Sequence, residues 1–354
     1  MLGDFLRPQS LGPAPVPFDA GIEQLDEPEQ VSVLLDYPGH IQYAPSVKQG
    51  DSVERGQPIG HSQGGNFIHA SISGTVEKID AAWSPYSHHV PSAVIKSSGR
   101  PSTDFAAAPV APSEDGQPEW LNTLKLSGVA SPWTLTGFNY REEESAALPD
   151  IRTVVIKGVH EEPTIFTSQL LLHEESERVR EGLQHVAEIA PGATIWLTVA
   201  QRDEQWARSE FGAQAKIATL PDHYRGRIER HVVPRLVGAP IPHRAAYTEH
   251  GVAVMAVEYL LALRDALQTR QPFVSKCVTV AGDDLERAVT LRVPMGTSIR
   301  AILAERGISI DDVGRVIAGG PMKGIAQYTD RTPLTHVDGL YLMSPDSVAA
   351  EGND

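Results

Sequence analysis

The stretch from Val154 to Leu172 limits the possible folds of this chain more than any other. A β-branched run at 154–156 leads into a charged turn, and a helix pattern begins after Pro163, so the stretch predicts a strand, a loop and a helix. Ligands of open α/β sheets usually bind in the loops that leave the carboxyl ends of the strands. The first candidate site residues are therefore those of the turn, Lys157, His160, Glu161 and Glu162. Because loops are polar in general, a merely solvated turn is the alternative.

The alternation of strands and helices continues along the chain. After the first helix, the sequence predicts strands at 193–199 and 215–220 and a long helix from about Gly251 to Thr269. Alternation of this kind is typical of helices layered on a sheet. We therefore predict an α/β domain over residues 118–271.

Residues 31–98 have a different pattern, with short apolar runs separated by glycine turns. This pattern predicts a small all-β sandwich or barrel. The segments Gly50–Gly60 and His69–Val76 resemble the flattened hairpin sandwich of biotinyl and lipoyl carrier domains. A carrier domain would present a lysine at its tight turn, whereas the matching segment 64–67 contains none. A scaffolding role is therefore favoured over a swinging-arm carrier.

The remaining segments complete the predicted domain organisation. Residues 1–30 and 99–117 are rich in proline and predict an extended N-terminal arm and a linker. Residues 272–325 predict a small β-grasp domain, with a helix that Thr297 or Ser298 caps and Gly307 ends. Residues 326–354 are predicted to be a C-terminal tail.

Composition excludes several classes of function. The 30 Lys and Arg against 45 Asp and Glu give a formal net charge of −15, which argues against a nucleic-acid partner. The longest apolar runs are about half of the ~20 residues that span a bilayer, and the start of the chain lacks the features of a signal peptide. We therefore expect a cytoplasmic protein without direct membrane insertion. The single cysteine, Cys277, is predicted to be a packed core thiol, and no iron–sulfur cluster is expected from this chain alone.

Four motifs and the order of the modules carry a family resemblance. The motifs are Gly74–Val76, Gln271–Gly282, Val293–Arg300 and Gly319–Gly324. Together they resemble the C subunit of the Rnf electron-transport complex. They are more distantly similar to the A subunit of the sodium-pumping NADH:quinone reductase and the NADH-oxidising flavoprotein subunit of respiratory complex I. The resemblance implies a barrel-sandwich hybrid module, a Rossmann-like α/β domain and a β-grasp (SLBB-like) domain.

The chain departs from the family at the loop that approaches the flavin. The family has Gly-Gly-Ala-Gly-Phe-Pro-Thr here, where bare amides let the backbone approach the cofactor. The matching stretch is Leu126–Thr134, in which Gly128 is retained and Val129, Ser131 and Trp133 add bulk. The resemblance therefore implies a degenerate cofactor site.

Two further family features are partly or wholly missing. The flavin-facing segment Glu-Cys-Glu-Pro-Tyr corresponds to His160–Thr164, which retains Glu162 and Pro163. The family continues into a segment with cysteine motifs for two four-iron clusters, and the sequence up to Asp354 contains no such motif. We expect no bound cofactor, with flavin mononucleotide (FMN) as the open alternative. The residual FMN/NADH site implied by the resemblance consists of Gly128, Lys157, Gly158, Glu161 and Glu162.

Two other interpretations of local motifs remain open. The repeated His-Glu-Glu at 160–162 and 173–175 has the ligand types of a zinc or iron site, although a solvated turn and helix face are favoured. The glycine-rich segment Gly319–Gly324 has amides that suit an anion, with Lys323 as the counter-charge, although a structural turn is favoured.

The leading hypothesis is a non-catalytic subunit that docks, on the cytoplasmic face of the inner membrane, onto membrane redox subunits or onto a ferredoxin- or flavin-bearing partner. An active NADH-oxidising FMN protein that passes electrons to clusters on a partner chain is the alternative. A sensor of a small ligand that uses the β-grasp domain is a third hypothesis.

Overall fold

A computed structural model of the chain describes residues 18–37, 41–86, 88–99, 107–108, 118–129, 150–243 and 245–347, with the backbone alone for residues 18–20. Residues 1–17 of the predicted arm, most of the predicted linker and the last seven residues of the predicted tail lie outside this description. The same is true of the loop residues Ser131 and Trp133.

The N-terminal module is a β-sandwich. Strand β1 (Phe18–Gln24) precedes it, and its own strands are β2 (Gln30–Leu34), β3 (Asp36–Tyr37), β4 (Ile41–Gln42), β5 (Ala44–Pro45), β6 (Ser52–Val53), β7 (Pro58–His61), β8 (Phe67–His69), β9 (Gly74–Trp83) and β10 (His89–Ser97). One sheet has the order β2-β10-β9-β6, and a second has the order β5-β7-β8. The core between them contains Val31, Val33, Ile59, Ile72, Val76 and Ile95.

The second module contains a parallel sheet. Its elements are α1 (Glu119–Leu126), β11 (Thr153–Lys157), α2 (Thr167–Glu174), α3 (Ser176–Ile189), β12 (Thr194–Ala200), α4 (Glu204–Phe211), β13 (Lys216–Leu220), α5 (Tyr224–Arg227), α6 (Glu229–Val237), β14 (Val252–Ala256) and α7 (Val257–Thr269). The four strands are parallel, in the order β13-β12-β11-β14. The mixed α/β content predicted for this part of the chain is confirmed.

Side-chain alternation along β11 divides the two faces of this sheet. Val154 and Ile156 pack against α1, α2, α3, α4 and α7 in the largest core cluster. Val155 faces the opposite side, where it packs with Val233 of α6 and Tyr247. Because β11 is buried on both faces, its continuous apolar run marks an internal strand.

Two helix predictions in this module are corrected. The predicted helix from about Gly251 begins only at Val257, because 252–256 form the edge strand β14. A short apolar run fits a buried strand and a buried helix equally well, and pairing with β11 decides between them. The first predicted helix is divided into α2 and α3 at Glu175, whose backbone is not helical (φ −118°, ψ 30°) and whose carboxylate binds Arg178 and Arg292.

The third module is a six-stranded sheet with one packed helix. Its elements are β15 (Ser275–Gly282), β16 (Ala288–Pro294), β17 (Thr297–Ser298), α8 (Ile299–Glu305), β18 (Arg315–Ala318), β19 (Ile325–Ala326), β20 (Pro333–Leu334) and β21 (Gly339–Met343). The sheet has the order β1-β16-β15-β21-β18-β19. The Ser298 hydroxyl caps α8 by accepting a hydrogen bond from the Ala301 N–H at 3.2 Å, as the sequence predicts.

This sheet uses residues from both ends of the described chain. Strand β21 belongs to the predicted tail and lies between β15 and β18. Strand β1 belongs to the predicted arm and pairs in parallel with β16. Leu340 and Leu342 of β21 belong to the core of the module. The sheet therefore extends beyond the predicted limits of 272–325. Local sequence patterns do not reveal this extension, because β1 and β21 pair with strands that are distant in sequence. No helix among the described residues is both long and apolar enough to cross a bilayer.

We predict that a chain truncated after Ala326 fails to form a cooperative third module, because it lacks the internal strand β21. A truncation after Ser347, which retains β21, is the matched control. Urea unfolding followed by circular dichroism compares the two with the full chain. Equal midpoints for both truncations would contradict an internal role for β21.

Candidate functional site

The candidate site lies at the carboxyl end of β11, beneath the third module. Lys157 is the last residue of that strand, and its ammonium lies 2.7 Å from the carboxylate of Glu229 on α6. Burial alone would lower the pKa of Lys157, but the carboxylates of Glu229, Glu161 and Asp338 raise it above its usual value. Lys157 is therefore a fixed cation that already has a counter-ion.

Glu162 fills a cradle of backbone amides from the third module. Its carboxylate is 5% exposed and accepts hydrogen bonds from the N–H groups of Met322 (3.1 Å) and Lys323. Gly319 and Gly320 have φ angles of +98° and +92°, a conformation that favours glycine. A Cβ on Gly320 would also lie 2.8 Å from the Glu162 carboxylate. The glycine-rich segment does bind an anion, and that anion is a side chain of the same protein.

Glu161 connects the turn after β11 both to α6 and to the glycine-rich segment. Its carboxylate accepts from the Glu229 N–H at 3.2 Å and from the Lys323 ammonium at 2.9 Å. The pKa of Glu162 is raised by burial, an effect that the Met322 and Lys323 amides partly oppose. The turn after β11 is therefore a structural junction, not a solvated loop.

A second cluster of charges lies where the three modules meet. The Lys276 ammonium, 2% exposed, lies 2.8 Å from Asp338 and 3.5 Å from Glu258. His336 accepts or donates a hydrogen bond with the Tyr259 hydroxyl at 3.1 Å, and its carbonyl accepts one from Tyr86 of the β-sandwich at 3.3 Å. Side chains of all three modules thus meet in one polar cluster.

The charge states in this cluster follow from burial and pairing. Burial alone would lower the pKa of Lys276, but Asp338 and Glu258 raise it above the usual value. Burial opposes ionisation of Asp338 as well, yet Lys276 and His160 lower its pKa to about 2. Burial raises the pKa of Glu258, with Lys276 opposing the rise. Asp338 is therefore the main counter-ion of Lys276.

His160 connects the two charge clusters. Its Nε2 lies 2.6 Å from the Thr167 hydroxyl and 3.1 Å from that of Ser168, and its Nδ1 lies 3.8 Å from Asp338. Burial lowers the pKa of His160 to about 4, and Lys157 and Lys276 also lower it against the opposing effect of Asp338 and Glu161. The imidazole is therefore neutral at physiological pH.

The two glycines of the predicted site have packing roles. A Cβ on Gly158 would lie 2.4 Å from Leu172 and 2.5 Å from the Thr198 carbonyl, which also accepts the Gly158 N–H at 2.9 Å. Gly128 (φ +72°) lies after α1 against the β-sandwich, where a Cβ would approach His69 and the Phe67 carbonyl to 3.0 and 3.1 Å. The structure thus brings Lys157, Glu161 and Glu162 together, whereas Gly128 contacts the hairpin of the first module.

Sequence reasoning missed Lys276, Asp338, Glu258 and His336. Lys276 is inside a strand and Asp338 inside the predicted tail, so nothing local signals their contact. The one available signal was a lysine within an otherwise apolar strand, since a buried lysine requires a buried counter-ion.

The other motifs have structural partners. His173 stacks on Trp206 at 3.9 Å and lies 3.4 Å from Asp203, while the Glu174 carboxylate accepts from the Ile22 N–H at 2.8 Å. Within the described residues, no group of three or more His, Cys, Asp or Glu side chains has the arrangement of a metal site. Cys277 is buried, and burial raises its pKa, so the prediction of a packed core thiol is confirmed.

We predict that Glu162→Ala lowers the free energy of unfolding by about 2 kcal/mol, because two backbone donors lose a charged acceptor. Glu162→Gln keeps one carbonyl acceptor and should lose about half as much. Urea unfolding measures both. Glu54→Ala, which truncates an exposed glutamate, is the control, and a loss no larger than in this control would contradict the cradle's role.

We also predict that stability falls as the pH is lowered from about 6.5 towards 4. The unfolded chain takes up a proton on His160 near its usual pKa of about 6.5, whereas the folded chain does so only near the lowered value. More protons are then bound in the unfolded state, and the stability lost is up to about 1.4 kcal/mol per pH unit for this histidine.

The variant His160→Gln keeps a polar group towards Thr167 but removes the titration. Its stability, from urea unfolding between pH 4 and 7, should decline less steeply than that of the wild type. His231→Asn, at an exposed histidine, is the matched control. Parallel pH profiles for His160→Gln and the wild type would disprove the assignment.

Comparison with known proteins supports the family resemblance that the sequence motifs predicted. Residues 18–100 match the RnfC Barrel sandwich hybrid domain. The C subunit of the ion-translocating oxidoreductase complex of Rhodobacter capsulatus is 26% identical over 325 residues, which cover 88% of this chain and 62% of that protein. The corresponding protein of Pseudomonas aeruginosa is 30% identical over 312 residues, which cover 82% of this chain and 38% of that protein.

A third relative is the C subunit of the Na(+)-translocating ferredoxin:NAD(+) oxidoreductase complex of Acetobacterium woodii, 24% identical over 333 residues, covering 91% of this chain and 74% of that protein. The chain thus spans 62% and 38% of the Rhodobacter and Pseudomonas relatives. A crystal structure of an NAD+-reducing [NiFe]-hydrogenase in the air-oxidized state aligns with a TM-score of 0.42 at 18% identity, covering 55% of this chain and 40% of that chain. The predicted resemblance and the barrel-sandwich module are confirmed.

Proposed function

We propose that this chain, which resembles the C subunits of ion-translocating oxidoreductase complexes, acts as a peripheral, non-catalytic docking subunit of an Rnf- or Nqr-like electron-transport complex. Its partners in this proposal are membrane redox subunits or a ferredoxin- or flavin-bearing protein. Its place is the cytoplasmic face of the inner membrane. Its cofactor site is degenerate.

One observation carries the proposal: the polar groups of the residual FMN/NADH site are bound within the protein itself. Lys157 is paired with Glu229, and Glu162 with the amides of Met322 and Lys323. The Gly158 N–H donates to the Thr198 carbonyl. A flavin phosphate would have to break these bonds, and a buried partner left unpaired costs about 1–3 kcal/mol each time.

The charge around Lys157 also disfavours a phosphate. Glu229 and Glu161 both approach this edge of the sheet, and Lys323 is the counter-ion of Glu161. The two lysines and the carboxylates around them leave no excess positive charge to attract a dianion. This balance is what supports a structural junction here.

The finer fold assignments belong to the same proposal. We assign the parallel-sheet module, residues 118–271, to the Rossmann-like class of the complex I flavoprotein, and the module from 272 to the β-grasp (SLBB-like) class. The module limits 31–98, 99–117 and 272–325 are kept as proposed boundaries, with β1 and β21 joined to the third sheet from outside them.

The alternative function is an NADH-oxidising FMN subunit that passes electrons to clusters on a partner chain. It is favoured by the position of Lys157, Glu161 and Glu162 at the carboxyl edge of a parallel sheet, where nucleotides bind in such folds. With FMN bound, the flavin would supply the hydride and electron chemistry. Lys157 and the amide of Gly158 would then face its phosphate, and Glu162 a ribityl hydroxyl or the nicotinamide.

We predict that the purified chain has no flavin absorption near 450 nm and releases no flavin on acid treatment. Titration with FMN, followed by quenching of flavin fluorescence, should show no binding in the micromolar range. Glu229→Gln, which frees Lys157 from its counter-ion, is the informative variant. A phosphate site that Glu229 blocks would gain affinity for FMN in this variant, whereas a purely structural cluster would not. A stoichiometric flavin in the wild type would establish the alternative.

A further inference from the structure

The outer surface of α5 and α6 carries exposed cations whose role, as inferred below, rests on the proposed docking function. We define the arginine surface as the exposed side chains of Arg225, His231 and Arg235 together with Lys216 of the edge strand β13. Helix α5 leads directly into α6, and α6 covers the sheet face opposite to the large helical layer.

The charge of this region is opposite to that of the whole protein. Between His223 and His243 the sequence has four arginines and one carboxylate, whereas the chain carries a net charge of −15. That carboxylate, Glu229, faces inward to Lys157. Every exposed ionisable side chain of 223–243 is therefore an arginine or a histidine.

Two of the four arginines have structural roles, which separates them from the surface set. Arg227 is buried, pairs with Asp222 and donates to the Pro221 carbonyl at 2.8 Å. Arg230 lies over the Tyr247 ring at 4.6 Å and donates to the Ala245 carbonyl at 3.2 Å. Arg225 and Arg235 remain exposed.

The surface has a rigid base and an apolar component. Val232 and Val233 of α6 are buried against the sheet, and the Arg235 guanidinium donates to the His231 carbonyl one turn earlier at 3.1 Å. Beside the helix, Trp196 of β12 is half-buried, with the Lys216 ammonium 5.5 Å from its ring. Tryptophan and arginine are enriched in protein interfaces.

We propose that the arginine surface is the docking face for an acidic protein surface, that of a partner redox subunit. Charge complementarity selects this partner, because a chain with a net charge of −15 repels a second acidic protein in general, whereas the exposed cations of this face attract one. An anionic membrane fits less well. Polybasic membrane segments use clusters of 4–8 Lys or Arg at about 1 kcal/mol each, and this face has three on a strongly acidic protein.

The test measures binding of the full chain to the detergent-solubilised membrane subunits of the complex, purified from cells that lack this chain. The variant is Arg225→Glu/Arg235→Glu, and the matched control is Lys48→Glu/Arg331→Glu, which changes the charge equally at exposed sites on the other two modules. Urea unfolding first verifies that both variants are folded. Surface plasmon resonance at 50 and 300 mM NaCl then gives the dissociation constants.

We expect the arginine variant to bind about 10–100-fold more weakly than the wild type at 50 mM NaCl, with a smaller dependence on salt. The control should bind within about 2-fold of the wild type. Equal binding by the two variants would overturn the arginine surface while leaving the docking function in place. Failure of the wild type to bind any of the subunits would overturn the docking function, and this inference with it.

Vesicles of 30% phosphatidylglycerol in phosphatidylcholine provide the second arm of the same experiment. Absence of wild-type binding to them, with binding to the subunits, supports a protein partner. Vesicle binding that Arg225→Glu/Arg235→Glu abolishes would replace the acidic protein by a lipid surface and overturn the proposal.

Discussion

The pairing of the buried Lys276 ammonium with carboxylates is the interaction on which the arrangement of the modules depends. A buried charge costs several kcal/mol unless it is paired, and removal of one partner of a buried pair typically costs 3–5 kcal/mol. The partners of Lys276 come from different modules, since Glu258 is on α7 and Asp338 precedes β21. The contact with Glu258 therefore ties the third module to α7 of the parallel-sheet module, and any other docking angle would leave the buried Glu258 without Lys276.

The closed state of the candidate site follows from that arrangement. Once the third module is fixed, its glycine-rich segment lies over the turn after β11, and the amides of Met322 and Lys323 meet Glu162. The position that nucleotide ligands occupy in many α/β folds is then filled by the protein itself. The contacts that make this turn a rigid junction would also stand in the way of a nucleotide, and this supports the proposed docking role.

Local patterns predicted the parts of the structure that local physics determines. The strand at 154–156, the Ser298 cap and the buried Cys277 each depend on neighbouring residues or on burial alone. The strand at 252–256, the positions of β1 and β21, and the partners of Lys276 depend on contacts between residues far apart in sequence. A single sequence contains the residues for those contacts but not their pairing. The turn could therefore be chosen as a candidate site, while its contacts with the third module could not be predicted.

The pairing of β1 with β16 also limits how early the protein can finish folding during its synthesis on the ribosome. Phe18 lies beside Ala288, and the internal strand β21 ends at Met343. The β-sandwich and the parallel sheet use segments that emerge early and can fold as they emerge, whereas the third sheet must wait until nearly all of the described chain has been synthesised. Until then β1 has no partner strand, and its backbone N–H and C=O groups stay open to pairing with another chain.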